Sequence, residues 1–193
     1  MKVLGVCGSL RKESNTNQLV KKVAVSSGCE FELVYLSDRE VEPCTGCLGC
    51  MWSEGECTIK DGMQELYEKI MEAEALIIGS PTYYMNGSGA VICFLDRKFA
   101  LYFRGFGPPG SPYTGQRPLA GRPAVGVVTA AETGHEWAIE TLRHHFEINQ
   151  MNVISEIVEV VGINDVNDMP DVMKRAERAG KQLGEMLKHG ESR

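Results

Sequence analysis

The chain opens with Lys2-Val-Leu-Gly-Val-Cys-Gly8, followed directly by Ser9-Leu-Arg-Lys-Glu-Ser14-Asn-Thr-Asn17. The first run is short, apolar and closed by glycine, which is typical of a strand buried on both faces. The second run is polar, and the apolar residues between positions 19 and 24 fall on one face of a helix. A strand, a polar loop and a helix in this order predict the start of a βαβ unit.

The alternation of strand and helix continues to the end of the chain. Apolar or β-branched runs predict further strands at 30–36, 75–81, 123–129 and 153–161, and helical periodicity predicts helices at 61–71, 88–103, 137–150 and from Pro170 onward. This order predicts an α/β fold, a doubly wound parallel sheet of five strands with helices on both faces, in one domain over residues 1–193. Ligands of such sheets bind at the carboxyl ends of the strands.

Composition restricts the kind of protein. A net charge of −6 and a pI near 5.3 argue against a nucleic-acid or anionic-membrane partner. The apolar runs are shorter than the roughly 18 residues that a membrane span needs, and no signal peptide precedes the first strand. We therefore expect a cytoplasmic protein with no membrane partner, in which cysteines stay reduced.

The polar loop after the first strand carries groups that suit a phosphate dianion. It offers hydroxyls, amides and a guanidinium at the expected N-terminus of a helix, where backbone N–H groups are free. It lacks both Gly-x-Gly-x-x-Gly and the Gly-Lys-Ser/Thr ending of a P-loop, so a mononucleotide such as FMN fits better than a dinucleotide or ATP. The alternative is that the polar residues only cap the helix. The predicted binding residues are Ser9, Leu10, Arg11, Ser14, Asn15 and Thr16.

Two further strand ends are predicted to share this site. The third strand runs into an aromatic and polar tip that suits a flat heteroaromatic ring, unless its tyrosines merely pack at the surface. The fourth strand ends in a short loop that would meet the other side of the ring. The predicted binding residues are Pro81, Thr82, Tyr83, Tyr84, Met85, Asn86, Thr129, Ala130, Ala131 and Gly134. No catalytic residue is predicted, because flavin chemistry can proceed by hydride or electron transfer without a general base.

A cysteine-rich loop at 43–58 contains four of the seven cysteines, Cys44, Cys47, Cys50 and Cys57. Thiolates are soft ligands that select zinc, Cu(I) or iron–sulfur clusters. A structural zinc site more often uses two separated Cys-x2-Cys pairs, and the second pair is absent here. The spacing therefore favours a cluster, with zinc and unligated or redox-active thiols as alternatives. Cys7, Cys29 and Cys93 lie in apolar settings and are expected to be packing residues.

These motifs together resemble the flavodoxin-like NAD(P)H-dependent FMN reductases, and within them the iron–sulfur flavoproteins. The resemblance is carried by the loop Gly8 to Thr16, by the four cysteines before Ile59-Lys-Asp61, by the run Ala75 to Tyr83, and by Phe94-Leu-Asp96-Arg97. It implies a strand order of 2-1-3-4-5, with the FMN phosphate on the first loop and the isoalloxazine ring between the third and fourth strand ends. It also implies one [4Fe–4S] cluster on Cys44, Cys47, Cys50 and Cys57.

The resulting prediction is an FMN-dependent oxidoreductase in which a cluster relays electrons to or from FMN. The resemblance implies an electron donor such as ferredoxin or NAD(P)H, a small-molecule acceptor, and a homodimer or homotetramer. One alternative is an NAD(P)H-dependent FMN or quinone reductase without a cluster. A second alternative is a zinc-stapled binding module that is not an enzyme. The Gly/Pro-rich loop at 104–121 is longer than loops of a compact domain usually are, which is typical of functional, disordered or assembly segments.

Overall fold

A computed structural model describes residues 1–104 and 117–190 of the chain. Five long strands form one parallel sheet in the order β2-β1-β3-β5-β6, and a two-residue strand, β4, pairs antiparallel with the end of β3. The strands are β1 (Lys2–Cys7), β2 (Glu30–Tyr35), β3 (Ala75–Tyr83), β4 (Asn86–Gly87), β5 (Pro123–Ala130) and β6 (Asn152–Val160). The predicted α/β class is confirmed. The prediction missed β4, so the strands predicted as fourth and fifth are β5 and β6.

Six helices accompany the sheet in the described residues. They are α1 (Asn15–Ser26), α2 (Gly49–Trp52), α3 (Met63–Glu72), α4 (Gly89–Arg97), α5 (His135–Ile148) and α6 (Pro170–Gly190), with 3-10 turns at Leu36–Asp38, Lys98–Phe103 and Val166–Asp168. The single helix predicted over 88–103 is α4 followed by a 3-10 segment. Helix α2, inside the cysteine-rich loop, is one turn long and leaves no periodicity to read. None of the helices described here has the length and apolarity needed to cross a membrane.

Two apolar layers cover the two faces of the sheet. Side chains of alternate strand residues enter different layers: Leu4 packs in the layer with α3, α4 and α5, whereas Val3 packs in the layer with α1 and α6. Cys7 is fully buried in the second layer, and burial raises the pKa of its thiol to about 12. Cys7 is therefore a packing residue, as predicted, and Cys29 is partly buried against the same layer.

The parallel register brings the carboxyl ends of three neighbouring strands together. Cys7 of β1 lies beside Gly79 of β3, and Pro81 of β3 lies beside Thr129 of β5. The N–H of Gly8 donates to the carbonyl of Gly79 at 2.9 Å, and a Cβ at Gly8 would lie 2.2 Å from that oxygen. Only glycine allows this close approach, which turns the chain out of β1 toward α1. The predicted Gly/Pro-rich loop at 104–121 falls mostly on residues 105–116, outside the described ranges.

Candidate functional site

A cavity of about 360 Å³ opens at the carboxyl edge of the sheet. It is lined by the loop after β1, the ends of β3 and β5, and the loop after β6. Eleven of the predicted cofactor-binding residues line it: Ser9, Arg11, Ser14, Asn15, Thr16, Pro81, Thr82, Tyr83, Thr129, Ala130 and Ala131. The predicted residues that are not part of this lining are Leu10, Tyr84, Met85, Asn86 and Gly134. The lining also contains Glu13, Val161, Gly162, Ile163, Asn164 and Asp165, which sequence reasoning missed.

The loop after β1 is folded around the side chain of Asn17. Its Nδ2 donates to the carbonyl oxygens of Ser9, Arg11 and Lys12 at 3.3, 3.1 and 3.2 Å, and its Oδ1 accepts from the N–H of Ser9. Ser14 Oγ accepts from the N–H of Asn17 at 3.2 Å, so Ser14 caps α1 as well as lining the cavity. The loop therefore has a fixed shape at the N-terminus of α1, where the first backbone N–H groups have no acceptor within the helix.

The side chain of Asn15 fastens the loop after β6 to the start of α1. Its Nδ2 donates to the carbonyl of Asn164 at 2.8 Å, and its Oδ1 accepts from the N–H of Val166 at 3.0 Å. Both ends of this amide are thus already engaged, so its side chain shapes the cavity wall. What Asn15 offers a phosphate is its backbone N–H in the first turn of α1.

Two hydroxyl groups meet where α1 passes the end of β5. Thr16 Oγ1 and Thr129 Oγ1 lie 2.6 Å apart, and both residues are buried. A third hydroxyl, Thr82 Oγ1 at the end of β3, is buried and has no hydrogen-bond partner in the described parts of the chain. An unpaired buried hydroxyl is costly, so this group suits a ligand with a polar edge in the cavity. The lining therefore offers hydroxyl and N–H donors, which are groups that commonly bind phosphates.

The hairpin between β3 and β4 forms a rim beside the cavity. Tyr84 and Met85 at its tip have positive φ angles of 44° and 69°, and the side chain of Tyr84 is fully exposed. Gly134, with φ of 82°, packs against this tip, because a Cβ there would lie 2.4 Å from the Cα of Met85. Asn86 Oδ1 accepts from the N–H of Gly87 and lies 3.2 Å from Thr141 Oγ1 of α5. These residues shape the tip, and the cavity is lined by their neighbours.

The two ends of the cysteine-rich loop meet at one guanidinium group. Arg97 Nη1 donates to the carbonyl of Glu42 at 2.8 Å, and its Nη2 donates to the carbonyl of Ile59 at 3.2 Å. Both nitrogens also donate to the carboxylate of Asp61, and Tyr67 Oη donates to the carbonyl of Arg97. Burial opposes ionisation of Asp61, but hydrogen bonds from Arg97 and from backbone N–H groups outweigh it and lower its pKa. We call Arg97 and Asp61 the loop clamp.

The four cysteines of the loop influence one another without converging on one point. Hydrogen bonds from Thr58 and from the N–H of Gly49 lower the pKa of Cys47, which is exposed. Burial, and then the charges of the other three thiolates, raise the pKa of Cys50. The donor set is therefore soft and electrostatically coupled. Within residues 1–104 and 117–190, however, no three potential ligands are grouped closely enough to hold a metal ion.

Comparison with known proteins identifies the family. Residues 1–165 match the family described as NADPH-dependent FMN reductase. An iron-sulfur flavoprotein of Methanocaldococcus jannaschii is 34% identical over 159 residues, which cover 81% of this chain and 77% of the relative. An iron-sulfur flavoprotein of Archaeoglobus fulgidus is 38% identical over 100 residues, which cover 50% of this chain and 45% of the relative.

A solved structure shows the same fold. A flavodoxin from the domain Archaea superposes with a TM-score of 0.60 at 14% identity, covering 98% of this chain and all of that one. At this identity the likeness concerns the fold alone. The family match covers most of the chain, including the loop after β1 and the ends of β3 and β5. The chain is therefore a flavin-dependent oxidoreductase and belongs to the NADPH-dependent FMN reductase family.

Proposed function

We propose that the chain binds FMN in the cavity at the carboxyl edge of the sheet and works as an electron-transferring oxidoreductase. The observation that carries the proposal is the convergence of four strand ends on one cavity in which Thr82 Oγ1 is buried without a partner. FMN bound there would supply hydride and single-electron transfer. The cavity lies at the strand ends where ligands of doubly wound sheets bind.

The residues of the chain would bind and orient the cofactor. Ser9, Ser14 and Thr16, with the N–H groups at the start of α1, would hold the phosphate, and Arg11 at the exposed rim would add a positive charge. The ring would lie between the ends of β3 and β5, with Thr82 supplying a hydrogen bond to its polar edge. The exposed Tyr83 and the tip beyond it would cover the ring from solvent.

The electron donor and acceptor that we propose are those expected for this family. The family description makes NADPH the first choice of electron donor. Ferredoxin is the alternative donor, and the acceptor would be a small molecule. We also propose that the protein is cytoplasmic and works as a homodimer or homotetramer.

We further propose that Cys44, Cys47, Cys50 and Cys57 hold a [4Fe–4S] cluster. The proposal is supported by four free thiols within one loop, by the clamped ends of that loop and by the names of the relatives. The competing function is a reductase of the same family without a cluster, and the absence of a three-ligand group in the described residues favours it. In both cases the flavin site is the same.

Anaerobic purification followed by flavin, iron and sulfide analysis tests these functions together. We expect one FMN per chain and about four iron and four sulfide ions per chain. Flavin without iron would support the cluster-free reductase, and zinc without iron would exclude the cluster. The assignment of the cavity fails if the protein does not bind FMN at about 100 μM, where even a weak cofactor site would be occupied.

A further inference from the structure

A second cavity lies between the C-terminal end of α4, with the 3-10 segment that follows it, and α5. It is separate from the cavity at the carboxyl edge of the sheet, which we call the flavin cavity. The volume of the second cavity is about 540 Å³, within the range of roughly 300–1,000 Å³ that is typical of small-molecule sites. Leu95, Phe99 and Ile148 supply apolar walls, and Cys44 and Gly46 of the cysteine-rich loop form one side. No residue of its lining also lines the flavin cavity.

The polar part of this cavity is a pair of nitrogen groups, those of the buried Lys98 and the partly buried His145. The Nζ of Lys98 lies 2.7 Å from Nε2 of His145, and 1% of Lys98 is exposed. Burial, and then the charge of Arg122, lower the pKa of Lys98 to about 7. Burial, and then the charge of Lys98, lower the pKa of His145 well below its ordinary value. The pair therefore carries at most one positive charge near neutral pH.

Lys98 has no carboxylate partner in the described ranges, although the charge of Glu74 acts on its neighbour Arg122. Arg122 directs its guanidinium at the carbonyls of Ile70 and Met71, at the end of α3. Asp96, which also lines the cavity, is exposed, and in the described ranges no carboxylate lies within ion-pair distance of Lys98. A desolvated ammonium group whose partner is a neutral imidazole lacks its usual counter-ion. An anionic ligand would complete the arrangement.

We propose that this cavity binds a small monoanion with an apolar or aromatic body, whose carboxylate or phenolate oxygen accepts a hydrogen bond from Lys98 Nζ. One ammonium group matches one negative charge, whereas a phosphate dianion would need several more donors. The walls formed by Leu95, Phe99 and Ile148 suit the apolar body. The bound molecule would contact the side of the cysteine-rich loop that carries Cys44. It would therefore lie next to the cluster that we propose for that loop.

Calorimetric titration of the full-length, FMN-loaded protein tests this proposal with two matched probes. The first probe is 2-naphthoate, and the second is the uncharged 2-naphthamide. We expect saturable binding of naphthoate and binding of naphthamide about tenfold weaker, since only the anion pairs with Lys98. Equal affinity for the two probes, or no saturable naphthoate binding up to about 5 mM, would overturn the proposal.

Variants locate the site. Lys98→Met keeps the length of the side chain and removes the charge, and we expect naphthoate binding to weaken about tenfold while naphthamide binding is unchanged. Lys174→Met is the matched control, because Lys174 is exposed on α6, away from the cavity. Equal loss in both variants would contradict the assignment. If Lys98→Met does not fold, the proposal is tested by the affinities of naphthoate and naphthamide for the unmodified protein, and equal affinities overturn it.

Discussion

Arg97 and Asp61 are joined by two hydrogen bonds, Nη1 to Oδ2 at 2.6 Å and Nη2 to Oδ1 at 3.0 Å. The side chain of Arg97 is fully buried and that of Asp61 is 8% exposed. The same guanidinium also binds the carbonyls of Glu42 and Ile59, which flank the cysteine-rich loop. This pair therefore fixes both the entry and the exit of that loop.

Removing the guanidinium should destabilise the protein. We expect Arg97→Met to lower the free energy of unfolding by about 3–5 kcal/mol, because the largely buried Asp61 carboxylate loses its counter-ion and keeps only its bonds to backbone N–H groups. Chemical denaturation measures the change. We also expect faster labelling of the loop cysteines by a thiol reagent in the metal-free protein, since both loop ends are released.

Arg39→Met is a matched control for this substitution. Arg39 also forms a two-point pair, with Glu65, but the carboxylate is 53% exposed. Exposed pairs contribute about 0–1 kcal/mol, so this variant should lose far less stability. Equal losses in the two variants would show that the loop clamp has no special role.

Thr82→Val should weaken FMN binding while leaving stability unchanged or slightly higher. The substitution removes a buried hydroxyl that has no partner among the described residues, so the FMN-free protein loses no hydrogen bond. If the hydroxyl binds the flavin, the dissociation constant for FMN should rise about five- to tenfold. Quenching of FMN fluorescence gives the affinity. An unchanged dissociation constant would remove Thr82 from the ring site.

Arg11→Met should reduce the preference of the protein for FMN over riboflavin. Arg11 is exposed at the rim of the cavity where the phosphate is proposed to bind, and riboflavin lacks that phosphate. We expect FMN affinity to fall about tenfold and riboflavin affinity to stay constant. Lys12→Met is the control, since Lys12 is paired with Asp38 at 2.9 Å. A parallel loss for both flavins would argue against a phosphate contact.

Lys98 should make stability depend on pH in the alkaline range. Its pKa is about 7 in the folded protein against 10.5 for the free side chain, so between these values the unfolded chain binds more protons. Stability contributed through this group therefore rises with pH across that window, with a slope on the order of 1 kcal/mol per pH unit. We expect Lys98→Met to be more stable than the unmodified protein near pH 7, and the difference to shrink toward about pH 10. A constant difference across denaturation curves in this range would contradict the depressed pKa.

Most of the sheet could be predicted because buried strands and amphipathic helices leave a period in the sequence. The runs at 75–81 and 123–129 correspond to β3 and β5, whose buried residues are almost continuous. The convergence of the loop after β1 with the ends of β3 and β5 followed from the rule that parallel strands share a carboxyl edge. Eleven lining residues were found in this way.

The remaining parts of the site depend on contacts between distant residues, which no local pattern reveals. The loop at 161–165 enters the cavity because Asn15 binds the backbone on both sides of Asp165, some 150 positions away. Its only signal was its place directly after the last strand. Likewise, Asn17 looked like one more polar residue of the loop, and only the structure shows that it holds three carbonyls of that loop.

The loop clamp also bears on how this protein can evolve. Glu42, Ile59 and Asp61 all bind the side chain of Arg97 in α4. The cysteine-rich loop therefore begins and ends at the same place on the protein. We expect the exposed part of the intervening segment to tolerate substitution with little effect on the sheet, whereas Cys50 and Cys57 also pack against the core. Related proteins could thus gain or lose an inorganic cofactor through substitutions within about sixteen residues, without a change in the cavity where we propose that FMN binds.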